Sequence, residues 1–247
     1  MRRLLVLLAL FAAGCGSDRP PAPRLEVAAA RALDPAFVVY ARGFPGAAVQ
    51  FAAVPALADR VRSGPRPDLV AAPSRTLPAL YSAGLVEKPR DFAQNDLVLV
   101  VPVHHARANG LKALFAPGMR VAVGSDTSPV GRSTRTVFAR LSASQRTALE
   151  GNDRRHASGS AALARMVADG QADAAFVYMT EAKRWHGRLI AIDLSDRLAP
   201  RVRYGIAVVR GAPHPDAARA FVAGLGKPAG RHALTAAGFA TAPFRPR

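Results

Sequence analysis

The sequence predicts an α/β protein of two lobes joined by hinge strands, each lobe being a mainly parallel sheet flanked by helices. From Leu25 onward, short apolar segments alternate with helical segments, and this alternation is typical of parallel sheets. Two strongly apolar segments, residues 96–103 and 204–209, enclose a middle section that has strands and helices of its own. This insertion of one α/β unit into another favours a two-lobed, hinged protein. A single continuous sheet is the alternative.

We expect lobe one to comprise residues 25–100 and 204–247, and lobe two to comprise residues 101–203. Eight apolar segments have the length and composition of buried strands. They are residues 25–29, 49–53, 68–72, 96–103, 120–124, 174–179, 189–194 and 204–209. Between them, Leu163, Met166 and Val167 recur at helical spacing. Another helix is predicted to begin at Pro215.

The first 24 residues predict export. Two arginines near the start precede an apolar run over residues 4–13, which is shorter than the roughly 20 residues that a membrane span needs. Small residues then precede the single cysteine, Cys15. We expect a signal peptide of residues 1–14, lipid on Cys15 and a proline-rich tether over residues 15–24, so that the protein is membrane-anchored on the periplasmic or cell-surface side. A secreted protein with an unmodified cysteine is the alternative.

The hydrophobic content, the single cysteine and the net charge narrow the range of possible functions. Half of the 247 residues are hydrophobic, which suffices for packed cores, and one cysteine cannot form a disulfide framework or a cysteine metal site. The formal net charge is +17, but the arginines are scattered and no aromatic residues are interleaved with them. We therefore expect no nucleic-acid partner. The charge would still draw anions toward the protein.

The chain lacks the usual catalytic and cofactor motifs, among them G-x-S-x-G, H-E-x-x-H and G-x-G-x-x-G. We predict no enzyme activity, no cofactor and no bound metal ion. Residues 124–133 have glycines spaced too widely for a nucleotide phosphate loop, and Arg132 stands in the position of its lysine. The segment nevertheless follows a strand and opens a helix, where free N–H groups bind anions. The alternative is that Ser128 caps the helix and Gly131 permits a tight turn.

Three further residues at predicted strand ends, His104, His105 and Tyr178, have side chains that can bind a metal ion or a ligand. His104 and His105 are neighbours at a strand end, so their side chains point to opposite sides and cannot share a metal ion. We expect both to be solvated. Tyr178 ends an apolar strand at the sheet edge where α/β proteins bind ligands, although a tyrosine there can also simply fill the boundary of the core.

Four segments in order, residues 95–100, 120–124, 171–182 and 204–209, resemble the molybdate-binding periplasmic proteins of ABC importers. The resemblance covers roughly residues 25–240. It implies a monomeric solute-binding protein of the type 2 periplasmic-binding fold that closes by a hinge and docks on a membrane permease. It also implies a tetrahedral dianion, such as molybdate or tungstate, held by hydroxyl and backbone N–H groups from both lobes.

Carried over by position, the resemblance assigns the ligand-binding hydroxyl to Tyr178 and backbone donors to Val130 and Ser160. Two serines of the family pattern are replaced, by Ala32 and by Val54, and the resemblance still implies ligand-binding backbone N–H groups at both positions. Each hydrogen bond lost to a charged ligand costs about 1.5 to 3 kcal/mol. Binding therefore needs compensating donors or a different ligand.

Arg31 and Ser128 are the leading candidates for that compensation, and a guanidinium at Arg31 would suit a carboxylate. The alternative for Arg31 is a side chain that points to solvent. A sulfate-like anion, a small carboxylate, or a sensor or interaction role without transport are the alternative functions.

Overall fold

The computed structural model describes residues 25–104 and 110–243. The predicted signal peptide, Cys15, the tether over residues 15–24 and His105 lie outside the described residues. His104 is exposed, as expected of a solvated strand end. Within the described ranges, no helix combines the length and the apolar character that crossing a bilayer requires.

The described chain forms strands and helices in alternation. The strands are β1 Glu26–Ala30, β2 Ala48–Ala52, β3 Leu69–Pro73, β4 Arg90–Pro102, β5 Arg120–Gly124, β6 Asp153–Ala157, β7 Ala174–Tyr178, β8 Leu189–Asp193, β9 Arg201–Val208 and β10 Ala240–Thr241. The helices are α1 Asp34–Tyr40, α2 Val54–Ser63, α3 Leu77–Ser82, α4 Pro129–Ala139, α5 Ala143–Glu150, α6 Ser160–Ala168, α7 Met179–Arg184, α8 Pro215–Leu225 and α9 Pro228–Ala236. Short 3₁₀ turns are Arg31–Leu33, Ala41–Gly43, Ser74–Thr76 and Leu111–Phe115.

All eight predicted strands are present, although most of their ends shift by one or a few residues. The largest difference is β4, which begins at Arg90 rather than at residue 96. Strand β8 forms as predicted but is not buried, since Ile190 is 45% exposed. Strand β6 was not predicted, because its residues are polar and mostly exposed at the edge of the sheet.

The strands are ordered β2-β1-β3-β9-β4-β7-β5-β6, and β8 and β10 also pair with β4. β1 runs parallel to β2 and β3, and β5 runs parallel to β6 and β7. The long strand β4 pairs antiparallel with β9 up to Asp96 and with β7 from Leu97. One strand therefore contributes its first half to one sheet and its second half to the other.

The buried side chains divide into two cores. The first core combines both ends of the described chain, residues 25–93 and 204–239, and the second core runs from Leu97 to Leu194. We call the regions around these cores lobe one and lobe two. The predicted two-lobed α/β fold class is confirmed, and each sheet is mixed because β4 and β9 run antiparallel to their neighbours. The backbone hydrogen bonds between strands continue from one sheet to the other through β4, whereas the buried side chains form two separate cores. The lobe boundaries proposed from the sequence stay a prediction.

In each lobe, a buried aspartate accepts backbone hydrogen bonds at the amino ends of the parallel strands. Asp68, just before β3, accepts hydrogen bonds from the backbone N–H groups of Glu26 and His214, both at 2.8 Å. Asp173, just before β7, accepts one from the N–H of Arg120 at 2.9 Å and forms an ion pair with its guanidinium. The opposite, carboxyl ends of the strands are left to build a site.

The point where β4 changes partners carries a polar contact. Asn95 is fully buried, and its side-chain amide donates to the hydroxyl of Thr180 at 2.9 Å. The backbone N–H of Thr180 donates to the side-chain Oδ1 of Asn95 at 3.4 Å. Because Thr180 lies in the first turn of α7, this contact ties the start of that helix to the strand that both sheets share.

Candidate functional site

The predicted site residues lie at the carboxyl ends of parallel strands. In lobe two, β5, β6 and β7 lead directly into α4, α6 and α7, which places Val130, Ser160 and Tyr178 along one edge. In lobe one, β1 and β2 lead into the turn that holds Ala32 and the helix that begins at Val54. Carboxyl edges of parallel strands are where open α/β sheets bind ligands.

The start of α4 is capped as the sequence suggested. The Ser128 hydroxyl accepts from the N–H of Gly131 at 3.0 Å and donates to the carbonyl of Ser125 at 2.8 Å. The hydroxyl of Ser128 is therefore engaged inside its own loop. The cap does not use the N–H of Val130, and the first N–H groups of a helix have no partner within it. That N–H suits an anion.

Glycine is required at the junction of β5 and α4 for a reason other than a turn. A Cβ on Gly131 would lie 2.0 Å from the carbonyl oxygen of Ser125, and one on Gly124 would lie 2.4 Å from the Gly131 nitrogen. Neither glycine has a positive φ. The expectation that Gly131 permits a tight turn is therefore replaced by close packing of the helix start on the strand end.

The hydroxyl of Tyr178 reaches the first turns of the same helix. It lies 2.9 Å from the hydroxyl of Ser133 and donates to the carbonyl of Pro129 at 3.2 Å. The second distance is long for an O–H···O bond, so the hydrogen bond from Tyr178 to Pro129 is weak. Burial raises the pKa of the half-buried Tyr178 hydroxyl, which stays protonated and able to donate at neutral pH.

The start of α6 lacks a side-chain cap, because its N-cap residue is Gly159. The hydroxyl oxygen of Ser160 is buried there and has no hydrogen-bond partner. Leaving a buried hydroxyl unpaired costs about 1 to 3 kcal/mol, and native proteins do so rarely. Within residues 25–104 and 110–243, the only other buried side-chain atom in this state is Oε1 of Gln94. The hydroxyl of Ser160 is therefore free to form a further hydrogen bond.

The positions on lobe one offer backbone donors only. Val54 is half-buried at the start of α2, whose N-cap Ala53 has no side-chain hydrogen bond. Ala32 is half-buried within a single 3₁₀ turn. Arg31, the suggested compensating residue, is exposed.

The two edges approach each other at a pair of tyrosines. Tyr204 of lobe one is buried, and its pKa is raised by burial and then by the neighbouring Tyr178 of lobe two. Arg75, in the turn after β3, lowers the pKa of both hydroxyls. Pro73 at the end of β3 pairs with Tyr204, which explains the position of the turn. Tyr178 pairs with Leu97 and Tyr204 pairs with Ala93, so both tyrosines flank β4, the strand that the two sheets share.

Comparison with known proteins identifies the family. A model described as bacterial extracellular solute-binding protein matches residues 26–240. The chain belongs to this family. The molybdate-binding protein ModA of Mycobacterium tuberculosis is 28% identical over 244 residues, covering 92% of this chain and 91% of the relative.

Two solved structures share the fold of this solute-binding protein. The substrate binding domain of a putative molybdenum ABC transporter from Clostridium difficile superposes with a TM-score of 0.78 at 20% identity, covering 87% of this chain and 97% of that one. The periplasmic molybdate-binding protein of Azotobacter vinelandii gives 0.68 at 15% identity, covering 90% and 100%. The resemblance inferred from the motifs is confirmed.

A separate cavity of about 380 Å³ lies between β4, β8, β9 and β10 of this solute-binding protein. Its lining includes three carboxylates, Asp96, Asp193 and Asp196, and Arg201, which is paired with Asp196. None of Val130, Ser160 and Tyr178 lines it. Carboxylates repel anions, and no metal-holding group of acidic, histidine or cysteine side chains occurs among the described residues. The charge of this lining therefore does not favour an anion.

Sequence reasoning missed two residues that act on Tyr178, namely Ser133 and Arg75. Ser133 lies three residues after Val130, and that helical spacing was the available signal. Arg75 carried no signal, because its position depends on the pairing of β3 with the distant strand β9. His214 has a structural role, because its backbone N–H and its ring nitrogen Nδ1 both contact the carboxylate of Asp68.

Proposed function

We propose that this protein is the solute-binding component of an ABC importer and holds a small tetrahedral oxyanion, of the molybdate and tungstate type, between its lobes. The observation that carries the proposal is the buried hydroxyl of Ser160, unpaired at the uncapped start of α6. The helix starts at Val130 and Ser160 supply N–H donors, and Tyr178 supplies a hydroxyl. The named ligands of the relatives support the same anion class.

The proposed partners are a membrane permease and the lipid bilayer. Lipid on Cys15 would keep a monomeric carrier beside its permease outside the cytoplasm. Mass spectrometry of the protein extracted from membranes tests this, since a diacylated cysteine adds a defined mass. A Cys15→Ala variant is expected to leave the membrane fraction, and a membrane-bound variant would contradict the anchor.

A changed ligand is the second candidate, favoured by Ala32 and Val54. Without the two hydroxyl donors, a sulfate-like anion or a small carboxylate competes with molybdate on more equal terms. A role without transport remains the further alternative. Molybdenum or tungsten bound near stoichiometry in protein as purified would decide for the first candidate.

Thermal unfolding of the mature protein tests the proposed site directly. A ligand present at about 1,000 times its Kd is expected to add roughly 4 kcal/mol to stability. Molybdate, tungstate, sulfate and small carboxylates are the anions to compare. If none of them raises the unfolding temperature, the proposed oxyanion function is wrong.

The Ser160→Ala variant sharpens that test. It removes an unpaired hydroxyl, so we expect unchanged or higher stability without ligand and a smaller shift with it. Ser63→Ala is the control, because Ser63 is exposed at the end of α2 and bonds only to the carbonyl of Asp59. An equal ligand-induced shift in both variants would argue against Ser160 as a ligand contact.

A further inference from the structure

We propose that Arg75 and Arg132, which come from opposite lobes, hold the bound anion from two sides and make this site select by charge. The inference rests on the proposed function and names the residues that replace the two missing serine hydroxyls. It departs from a site of hydroxyl and N–H groups alone, because the recognition is then carried by permanent positive charges.

Arg75 lies in a turn that is held by contacts on both sides. The turn Ser74–Thr76 follows β3, and the hydroxyl of Ser74 donates to the carboxylate of Asp91 at 2.6 Å. On the other side, a Cβ at Gly205 would lie 2.8 Å from the Cδ1 of Leu77. The same Cβ would lie 3.4 Å from the Oγ of Ser74, so the turn and the start of α3 both pack against β9 and hold the backbone that carries Arg75.

The side chain of Arg75 is available for a ligand. It is exposed, and within residues 25–104 and 110–243 it has no hydrogen bond and no ion pair. Its guanidinium lowers the pKa of the Tyr178 and Tyr204 hydroxyls, one from each lobe. Arg75 lies in the turn after Pro73, which pairs with Tyr204, so it belongs to the carboxyl edge of the lobe-one sheet.

Arg132 approaches from the other lobe. It follows Gly131 in the first turn of α4, and its Nη1 donates to the carbonyl of Thr127 at 2.6 Å. This bond holds the guanidinium over the loop that opens the helix. Arg132 directly precedes Ser133, whose hydroxyl lies 2.9 Å from that of Tyr178, and Arg132 also lowers the pKa of Tyr178.

Two guanidinium groups compensate for two lost hydroxyls. An arginine remains charged at all relevant pH values, and charge-assisted hydrogen bonds are roughly twice as strong as neutral ones. Without an anion, the two like charges repel across the junction and oppose closure. With an anion between them, the repulsion becomes attraction, which couples binding to closure of the lobes. A dianion gains more from this arrangement than a monoanion of the same shape.

Tungstate and perrhenate separate charge from shape, since both are tetrahedral oxyanions and differ by one unit of charge. We expect calorimetry to show that Arg75→Gln weakens tungstate binding roughly 10- to 100-fold, the loss of one charge-assisted contact. The preference for tungstate over perrhenate should fall as well. Arg132→Gln is expected to act in the same direction, and Arg75→Lys should retain the preference because it keeps the charge.

Arg66→Gln is the matched control. Arg66 is exposed and lies just before β3, whereas Arg75 lies just after it, so the same charge is removed at the opposite edge of the sheet. The control should bind tungstate like the wild-type protein. Unfolding without ligand should be the same in Arg75→Gln and Arg66→Gln as in the wild-type protein, since Arg75 has no described hydrogen bond or ion pair. Arg132→Gln also loses the hydrogen bond to Thr127, so its binding is compared at a temperature where it is fully folded.

The outcomes separate the two proposals. If the wild-type protein binds tungstate and the Arg75 and Arg132 variants bind it equally well with unchanged selectivity, the inference is wrong and the proposed function stands. If the wild-type protein binds none of the anions, the proposed function is wrong and the inference falls with it.

Discussion

The hydroxyl groups of Tyr178 and Ser133 lie 2.9 Å apart and join the end of β7 to α4. The contact connects two strand-to-helix junctions that both face the proposed ligand. It therefore fixes the distance between the helix start at Val130 and the hydroxyl that we propose as a ligand of the anion.

We expect Tyr178→Phe and Ser133→Ala to be coupled in stability. Each variant loses the same hydrogen bond, so the double variant should be less destabilised than the sum of the two, with a coupling of about 0.5 to 1.5 kcal/mol. Urea unfolding of the four proteins measures this coupling. Strict additivity would mean that the two hydroxyls do not interact in solution.

Gly131→Ala is expected to lower stability by about 1 to 3 kcal/mol through overpacking. The added methyl group would overlap the Ser125 carbonyl oxygen, and backbone cannot rotate away as a side chain does. Gly43→Ala serves as control, because nothing lies within 4 Å of a Cβ at that position. Chemical unfolding of both variants checks the prediction, and equal effects would contradict the close packing described here.

Asp96 provides a pH prediction. Burial raises the pKa of its carboxyl above the usual 3.8, with Asp193 and Asp196 acting in the same direction and Gln94 and Arg201 opposing it. The folded protein thus holds the proton to higher pH than the unfolded chain does. This group's contribution to stability must fall as pH rises from 3.8 through the raised pKa, and stay constant above it.

The Asp96→Asn variant removes this pH-dependent loss while it can still accept the hydrogen bond from Gln94. Relative to the wild-type protein, the variant should be more stable at pH 7, and the difference should shrink as the pH falls toward 3.8. Denaturant unfolding at several pH values measures it. A pH-independent difference would point to a change in packing instead.

Thr180→Val tests the junction between the sheets. The substitution leaves the buried amide of Asn95 without its 2.9 Å partner, and we expect a loss of about 1 to 3 kcal/mol. Thr147→Val on the exposed face of α5 is the matched control and should be nearly neutral. If both substitutions cost the same, the Asn95 contact does not stabilise the junction.

Much of the fold was predictable because it depends on local pattern. The apolar segments that became β5 and β7 are buried on both faces, and such strands stand out in a sequence. Strand β6 escaped because an exposed edge strand needs no apolar residues. The start of β4 escaped for a similar reason, since Arg90 and Asp91 are exposed.

The candidate site was predictable only where a strand leads directly into a helix. Val130 and Ser160 follow that rule, whereas the partners of Tyr178 and the position of Arg75 depend on pairings between distant segments. Glycine at position 131 looked like a turn residue because sequence alone does not reveal a close approach. The ligand roles of Ala32 and Val54 stay predictions.

The core of lobe one is made from two stretches that are far apart in the sequence, whereas the core of lobe two is made from one stretch. Lobe two is packed from one continuous stretch, whereas lobe one needs Phe221 near the end of the chain to complete the aromatic contacts of Phe37 and Tyr40. During synthesis from the amino end, the apolar side chains of the first strands remain exposed to solvent until α8 and α9 have been made and can pack on them. We expect the waiting half-lobe, and not the finished protein, to be the species that chaperones of the export route protect.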